Sequence, residues 1–119
     1  MTYSRHVIAD IVSLSGYESQ VSALLSEEEQ MAMEFYIARA PEAHPVIQGA
    51  GGFRKARWAR PGKGKSGGFR VVYFFLAEPC RIYMAAIYAK SRKETLSPAD
   101  QNVLARLAAQ IKKAAKGGR

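Results

Sequence analysis

Phe69-Arg70-Val71-Val72-Tyr73-Phe74-Phe75-Leu76 is a nearly unbroken run of aromatic and β-branched residues. Side chains alternate along a strand, so Phe69, Val71, Tyr73 and Phe75 share one side and Arg70, Val72, Phe74 and Leu76 the other. Both sides are mostly apolar, which predicts a central strand covered on two faces. Arg70 is the exception, at the mouth of a hairpin. Working outward, Phe53 to Arg60 and Arg81 to Ala89 are further strand candidates. The connections Pro61 to Gly68 and Ala77 to Cys80 are short enough for antiparallel hairpins, which predicts a β-meander.

Helices flank this sheet. Val21, Leu24 and Leu25 predict a short helix from about Glu18 to Leu25. Ser26 and Glu29 make a capping-box pattern for a second helix, whose apolar stripe is expected at Met31, Ala32, Phe35 and Ala38 and whose end precedes Pro41. Ser97-Pro98-Ala99-Asp100 starts a third, with Val103, Leu104, Leu107, Ala108 and Ile111 as its buried stripe and Gly117 and Gly118 as its stop. Tyr3 to Val12 is compatible with an edge strand or an irregular arm. Pro41 to Gly52 has the composition of a loop.

The 119 residues suit one domain, expected to span 1–119, since domains commonly hold roughly 100 to 150 residues. Apolar residues are 48% and charged residues 24% of the chain, which argues against disorder. Cys80 is the single cysteine, so no internal disulfide or cysteine-rich zinc site can form, and a reducing cytoplasm is the expected compartment. No apolar run is long enough for a membrane span, and Arg5, His6 and Asp10 interrupt any signal-peptide core.

Charge divides the chain unevenly. Residues 1–50 carry two basic side chains against seven acidic ones, whereas residues 51–119 carry sixteen against three. Clustered lysines and arginines attract polyanions and gain from counterion release, so a phosphate-bearing partner is expected.

Two motifs mislead. Gly62-Lys63-Gly64-Lys65-Ser66-Gly67 fits a nucleotide-binding glycine string, but a strand rather than a helix follows it, and Ala59 stands where a P-loop needs glycine. A cationic hairpin tip is the better description. His6 and His44 are isolated, with no carboxylate at ligand spacing on a shared helix face, and the expectation is that they are structural or exposed, with no metal site.

The basic residues group by strand. In the first meander strand Lys55 and Arg57 share one face, and Arg54, Ala56, Trp58 and Arg60 the other; with Ala56 and Trp58 in the core, Lys55 and Arg57 line the open face. The third strand runs through Tyr88 into Lys90-Ser91-Arg92-Lys93. Convergence of Lys55, Arg57, Arg70 and Lys90 would make a phosphate grip able to stabilise the charge of a phosphoryl transition state. RNA carries its own nucleophile, the 2′-hydroxyl, so cleavage needs in-line positioning, charge stabilisation and proton transfer, with no metal or other cofactor. A lysine crowded by cations yields its proton more readily, which makes Lys55 or Lys90 a candidate base, while Arg57 and Arg70 hold phosphate. Tyr73 and Tyr88 are candidates for base stacking or proton relay, against the plainer role of core aromatics. Arg54, Lys63, Lys65, Arg92 and Lys93 are the expected outer contacts to RNA or ribosome.

The stretches GGFRKARW (51–58), GKGKSGGFRVVY (62–73) and IYMAAIYAKSRKETLS (82–97) resemble the HigB-like branch of the RelE/ParE superfamily of type II toxin-antitoxin modules. The resemblance extends from about Leu25 to Ile111. It implies an α+β fold, RelE-like, with N-terminal helices on a small antiparallel sheet and a C-terminal helix. It also implies ribosome-dependent cleavage of mRNA in the decoding (A) site against ribosomal RNA, and neutralisation by a cognate antitoxin protein. By the same resemblance Arg70 inherits a phosphate-binding role, Lys55 and Arg57 match the basic strand before it, and Lys90 with Arg92 the basic segment after the last strand. One departure is plain: RelE relatives place a functional tyrosine after that segment, where this chain has Thr95-Leu96-Ser97. The superfamily also contains gyrase-inhibiting ParE toxins without a nuclease site, so a non-catalytic toxin and a passive RNA-binding module stand as alternatives.

Overall fold

The computed structural model describes residues 9–62, 68–90 and 96–117. The chain runs β1 (Asp10–Ser13), α1 (Tyr17–Leu24), α2 (Glu27–Ala38), β2 (Arg54–Ala59), β3 (Gly68–Leu76), β4 (Arg81–Ala89) and α3 (Pro98–Gly117). The strand order is β1-β4-β3-β2, with β2, β3 and β4 antiparallel as expected of a meander. β1 joins at the edge, parallel to β4, so the complete sheet is mixed.

The alternation along β3 divides the molecule into two layers. Val71 and Tyr73 meet Ala56 and Trp58 of β2 and Ile82, Met84 and Ile87 of β4, under Tyr17 and Val21 of α1 and Met33 and Ile37 of α2. Val72 and Phe74 face the other way, onto Phe53 and onto Leu104 and Ala108 of α3. A central strand buried on both sides is what its double apolar pattern demands.

Both long helices start where their local sequence prescribes. The Ser26 hydroxyl accepts the Glu29 N–H at 3.1 Å while the Glu29 carboxylate accepts the Ser26 N–H at 2.9 Å. Ser97 and Asp100 repeat the exchange at the start of α3, both bonds 3.1 Å. These reciprocal bonds satisfy donors that a helix start leaves open.

The buried face of α2 differs from expectation. Met33 and Ile37 are fully buried, whereas Met31 and Phe35 are 71% and 68% exposed. Met33 and Ile37 turn this side of α2 toward α1 and the sheet, and polar bonds accompany the packing: Tyr17 donates to the Glu34 carboxylate at 2.6 Å, and Gln30 donates to Glu34 at 3.0 Å. In α3, Leu104 and Ala108 are buried as expected, but Val103 is 46% exposed. Among the described residues no helix is long and apolar enough to cross a membrane.

Candidate nucleic-acid interface

Strand register brings the cations together. Arg57 of β2 stands opposite Arg70 of β3, and Arg70 stands opposite Tyr88 of β4. These three side chains form a row across the sheet on the face that α3 covers further along. Lys55, two residues from Arg57, lies opposite Val72 on that same face. Arg57 is exposed, and Lys55 and Arg70 are half-buried. Two guanidinium groups directly opposite on one face repel each other, so this pair does not serve the sheet.

A fourth wall comes from the loop after α2, which returns along the free edge of β2. Lys55 N–H donates to the Pro45 carbonyl at 3.0 Å, and Ile47 N–H donates to the Phe53 carbonyl at 2.8 Å. Arg54, pointing to the other face, donates through Nη1 to the carbonyls of Glu42 at 3.1 Å and His44 at 2.7 Å. His44 is thereby held at the edge of the sheet, its ring 5.3 Å from that of Tyr36 and 6.1 Å, edge-on, from that of Tyr73. Tyr36, His44, Pro45, Lys55, Arg57 and Arg70 together line a cavity of about 410 Å³. That volume is within the range of roughly 300 to 1,000 Å³ usual for ligand sites.

Partial burial, and secondarily the Arg54 guanidinium, lower the His44 pKa below its ordinary value and so favour the neutral imidazole. A neutral imidazole has one donor and one acceptor nitrogen, so His44 can accept a proton beside three cations. Sequence reasoning had set this histidine aside. The available signal was its place before Pro45 in a turn-rich segment leading directly into the basic strand; what the residues did not state is that the loop doubles back along that strand.

The other expected site residues are distributed as follows. Tyr88 continues the arginine row, but its ring packs into the core layer beneath α3 rather than lining the cavity. Lys90 is exposed two residues further on, its N–H donating to the Gly68 carbonyl at 3.2 Å. Arg54 is engaged with the loop carbonyls. Lys63, Lys65, Arg92 and Lys93 lie outside the described residues. The candidacy of Tyr73 is corrected: it is fully buried, its hydroxyl donates to the Pro41 carbonyl at 2.7 Å, and burial pushes its pKa up to about 12.

A larger cavity, of about 950 Å³, lies at the opposite end of β3, between Arg81 and the last turns of α3 with Lys112, Lys113 and Lys116. Size does not decide between the two. The smaller one joins three cations to the imidazole of His44, whereas the larger sets Arg81, Lys112, Lys113 and Lys116 beside the carboxylate of Glu78 and has no histidine among its lining residues. Among the described residues no three of His, Cys, Asp and Glu converge as metal ligands would.

A family model described as the RelE toxin of the RelE/RelB toxin-antitoxin system matches residues 46–117, more than half of the chain. The chain belongs to the RelE toxin family. A solved structure of a mutant Escherichia coli toxin RelE in the free state is similar, with a TM-score of 0.53 and 14% identity. The match covers 74% of this chain and 90% of that one, and it shows a shared α+β fold. The RelE family match includes Lys55, Arg57 and Arg70; Tyr36, His44 and Pro45 lie just before it.

Proposed function

We propose that this chain is the toxin of a type II toxin-antitoxin module, of the HigB-like branch, and that it cleaves translated mRNA on the ribosome in the cytoplasm. One observation carries the proposal: the imidazole of His44 from a loop, Lys55 and Arg57 from β2 and Arg70 from β3 surround one cavity of about 410 Å³. Lys55, Arg57 and Arg70 hold the non-bridging oxygens of the scissile phosphate and stabilise the charge that grows on them. His44 takes the proton of the 2′-hydroxyl as that oxygen bonds to phosphorus. The bond from phosphorus to the 5′-oxygen then breaks, leaving a 2′,3′-cyclic phosphate and a 5′-hydroxyl whose proton comes from water or from Lys55. Arginine cannot supply or accept the proton at any working pH, so the imidazole completes what the guanidinium groups lack. Lys90 and the basic segments outside the described residues extend the grip to neighbouring phosphates.

The test is primer extension on an mRNA translated in a bacterial extract. Discrete cuts are expected with the wild-type chain, with free RNA spared, and Arg70→Ala is expected to lower cleavage by about a hundredfold or more, the scale for losing a transition-state charge contact. Cleavage should rise with pH through a midpoint below the ordinary imidazole value of about 6.5, because the His44 pKa is lowered; His44→Gln should remove that acid limb together with most of the rate. An intact mRNA beside inhibited DNA supercoiling would select the gyrase alternative, and salt-sensitive RNA retardation without cuts the passive one.

A further inference from the structure

The site at the arginine row does not end at Lys55. A further cavity, of about 240 Å³, opens beside that lysine and shares Lys55 and Pro45 with the one that holds His44. The two adjoin along the free edge of β2, where the loop after α2 runs antiparallel to the strand and Val46 pairs with Arg54. The proposed chemistry makes no use of the second one. Its walls are aliphatic, from Val46, Ile47 and Leu96, and it contains two carboxamides, Gln48 of the loop and Gln101 in the first turn of α3. Aliphatic walls with a few hydrogen-bonding groups suit the flat face and polar edge of a nucleobase, and unpaired RNA is read on such edges. Lys55 joins the two spaces, so a chain held there by its phosphate delivers the attached nucleoside to the neighbouring cavity.

The orientation of Gln101 selects the base. Its Nε2 donates to the Leu96 carbonyl at 3.5 Å, which leaves Oε1 as the group open to a ligand. Gly49 gives that oxygen room, since a Cβ there would stand 3.2 Å from it. Gln101 is half-buried and keeps this sense, whereas Gln48 is exposed and can turn either end of its amide to a ligand. An acceptor set by Gln101, with the donor and acceptor of Gln48, matches an amino group beside an unprotonated ring nitrogen. Adenine and cytosine present that pair on their Watson–Crick edge, where guanine and uracil carry a carbonyl beside a protonated nitrogen. We propose that this cavity is a base-reading subsite, in which Gln48 and Gln101 select adenine or cytosine next to the scissile phosphate. The proposal rests on the RNA reading of the cationic cavity, but not on cleavage.

Fluorescence anisotropy of the full chain with labelled UUAUU RNA, and with its adenosine replaced by inosine or by purine riboside, tests it. Inosine turns the amino group into a carbonyl, and purine riboside deletes it. The adenosine probe is expected to bind about tenfold more tightly than either, the scale for one well-placed pair of hydrogen bonds to a base. A central cytidine should match adenosine, and a central uridine inosine. Gln101→Leu is expected to bring the affinities within about twofold of one another; Gln48→Leu, at an exposed position that spares the fold, should reduce the ratio as well. Arg70→Ala, which removes a phosphate contact, should weaken all probes and keep their ratio. Wild-type affinities within about twofold across the probes, no measurable binding of any of them, or a ratio that survives both glutamine substitutions overturns the proposal. Discrimination by a wild-type chain that cuts no mRNA would remove the nuclease proposal and leave the subsite standing, and discrete cuts without discrimination would do the reverse.

Discussion

Arg57 and Arg70 face each other across β2 and β3, on one side of the sheet and next to a third cation, Lys55. Like charges directly opposite in a sheet cost up to about 1 kcal/mol, a cost that a bound phosphate would reverse. Arg57→Thr, which restores a good strand residue, is therefore expected to raise the melting temperature by about 3–6 °C at low ionic strength, and less in high salt. The same variant should lose RNA cleavage. Scanning calorimetry at two salt concentrations checks the stability arm, and an unchanged or lower melting temperature would contradict it. At this scale the sequence was informative about the cations, because alternation alone assigned Lys55 and Arg57 to one face. It was silent on His44, whose position depends on bonds from Arg54, ten residues later, to a loop carbonyl.

Helices and strands formed where local rules place them, and their docking is where those rules end. The docking of α3 depends on Gly51. This residue has φ +71, and a Cβ there would lie 2.9 Å from the Cβ of Ala108 and 3.0 Å from the Cα of Ala105. Lys112 adds a bond to the Gly51 carbonyl at 3.0 Å. Gly51→Ala should cost about 1–3 kcal/mol in chemical unfolding, combining backbone strain with a forced shift of α3, and hydrogen exchange should show α3 losing the most protection. For α2 the periodicity was ambiguous. Met31 and Phe35 are spaced as a core stripe, but so are Met33 and Ile37, and it is the second pair that packs against α1 and the sheet, on the side where Tyr17 bonds Glu34. The sequence left Tyr3 to Val12 open between an edge strand and an irregular arm, and the parallel pairing of β1 with β4 joins residues about seventy positions apart and has no local signature.

Across the whole molecule, the charge partition becomes spatial. The acidic first turn of α2, with Glu27 to Glu29, and the cationic row of β2 and β3 lie on different elements. The three cavity cations are expected to contribute about −2 to the slope of log binding constant against log salt for single-stranded RNA, and Arg70→Ala should make the slope shallower by about 0.7. Fluorescence anisotropy over a salt series measures both; an unchanged slope would remove Arg70 from the phosphate contacts.

The amino-acid order by itself determined the helices with their caps, the three-stranded meander and the basic character of its open face, because each follows from neighbours within a few positions and from periods of 2 and 3.6 residues. Tertiary structure alone decided that His44 stands beside Lys55, Arg57 and Arg70, and that Met31 and Phe35 face outward. Both outcomes arise where distant segments compete for the same sheet edge or core volume, and no short-range pattern encodes which of them prevails.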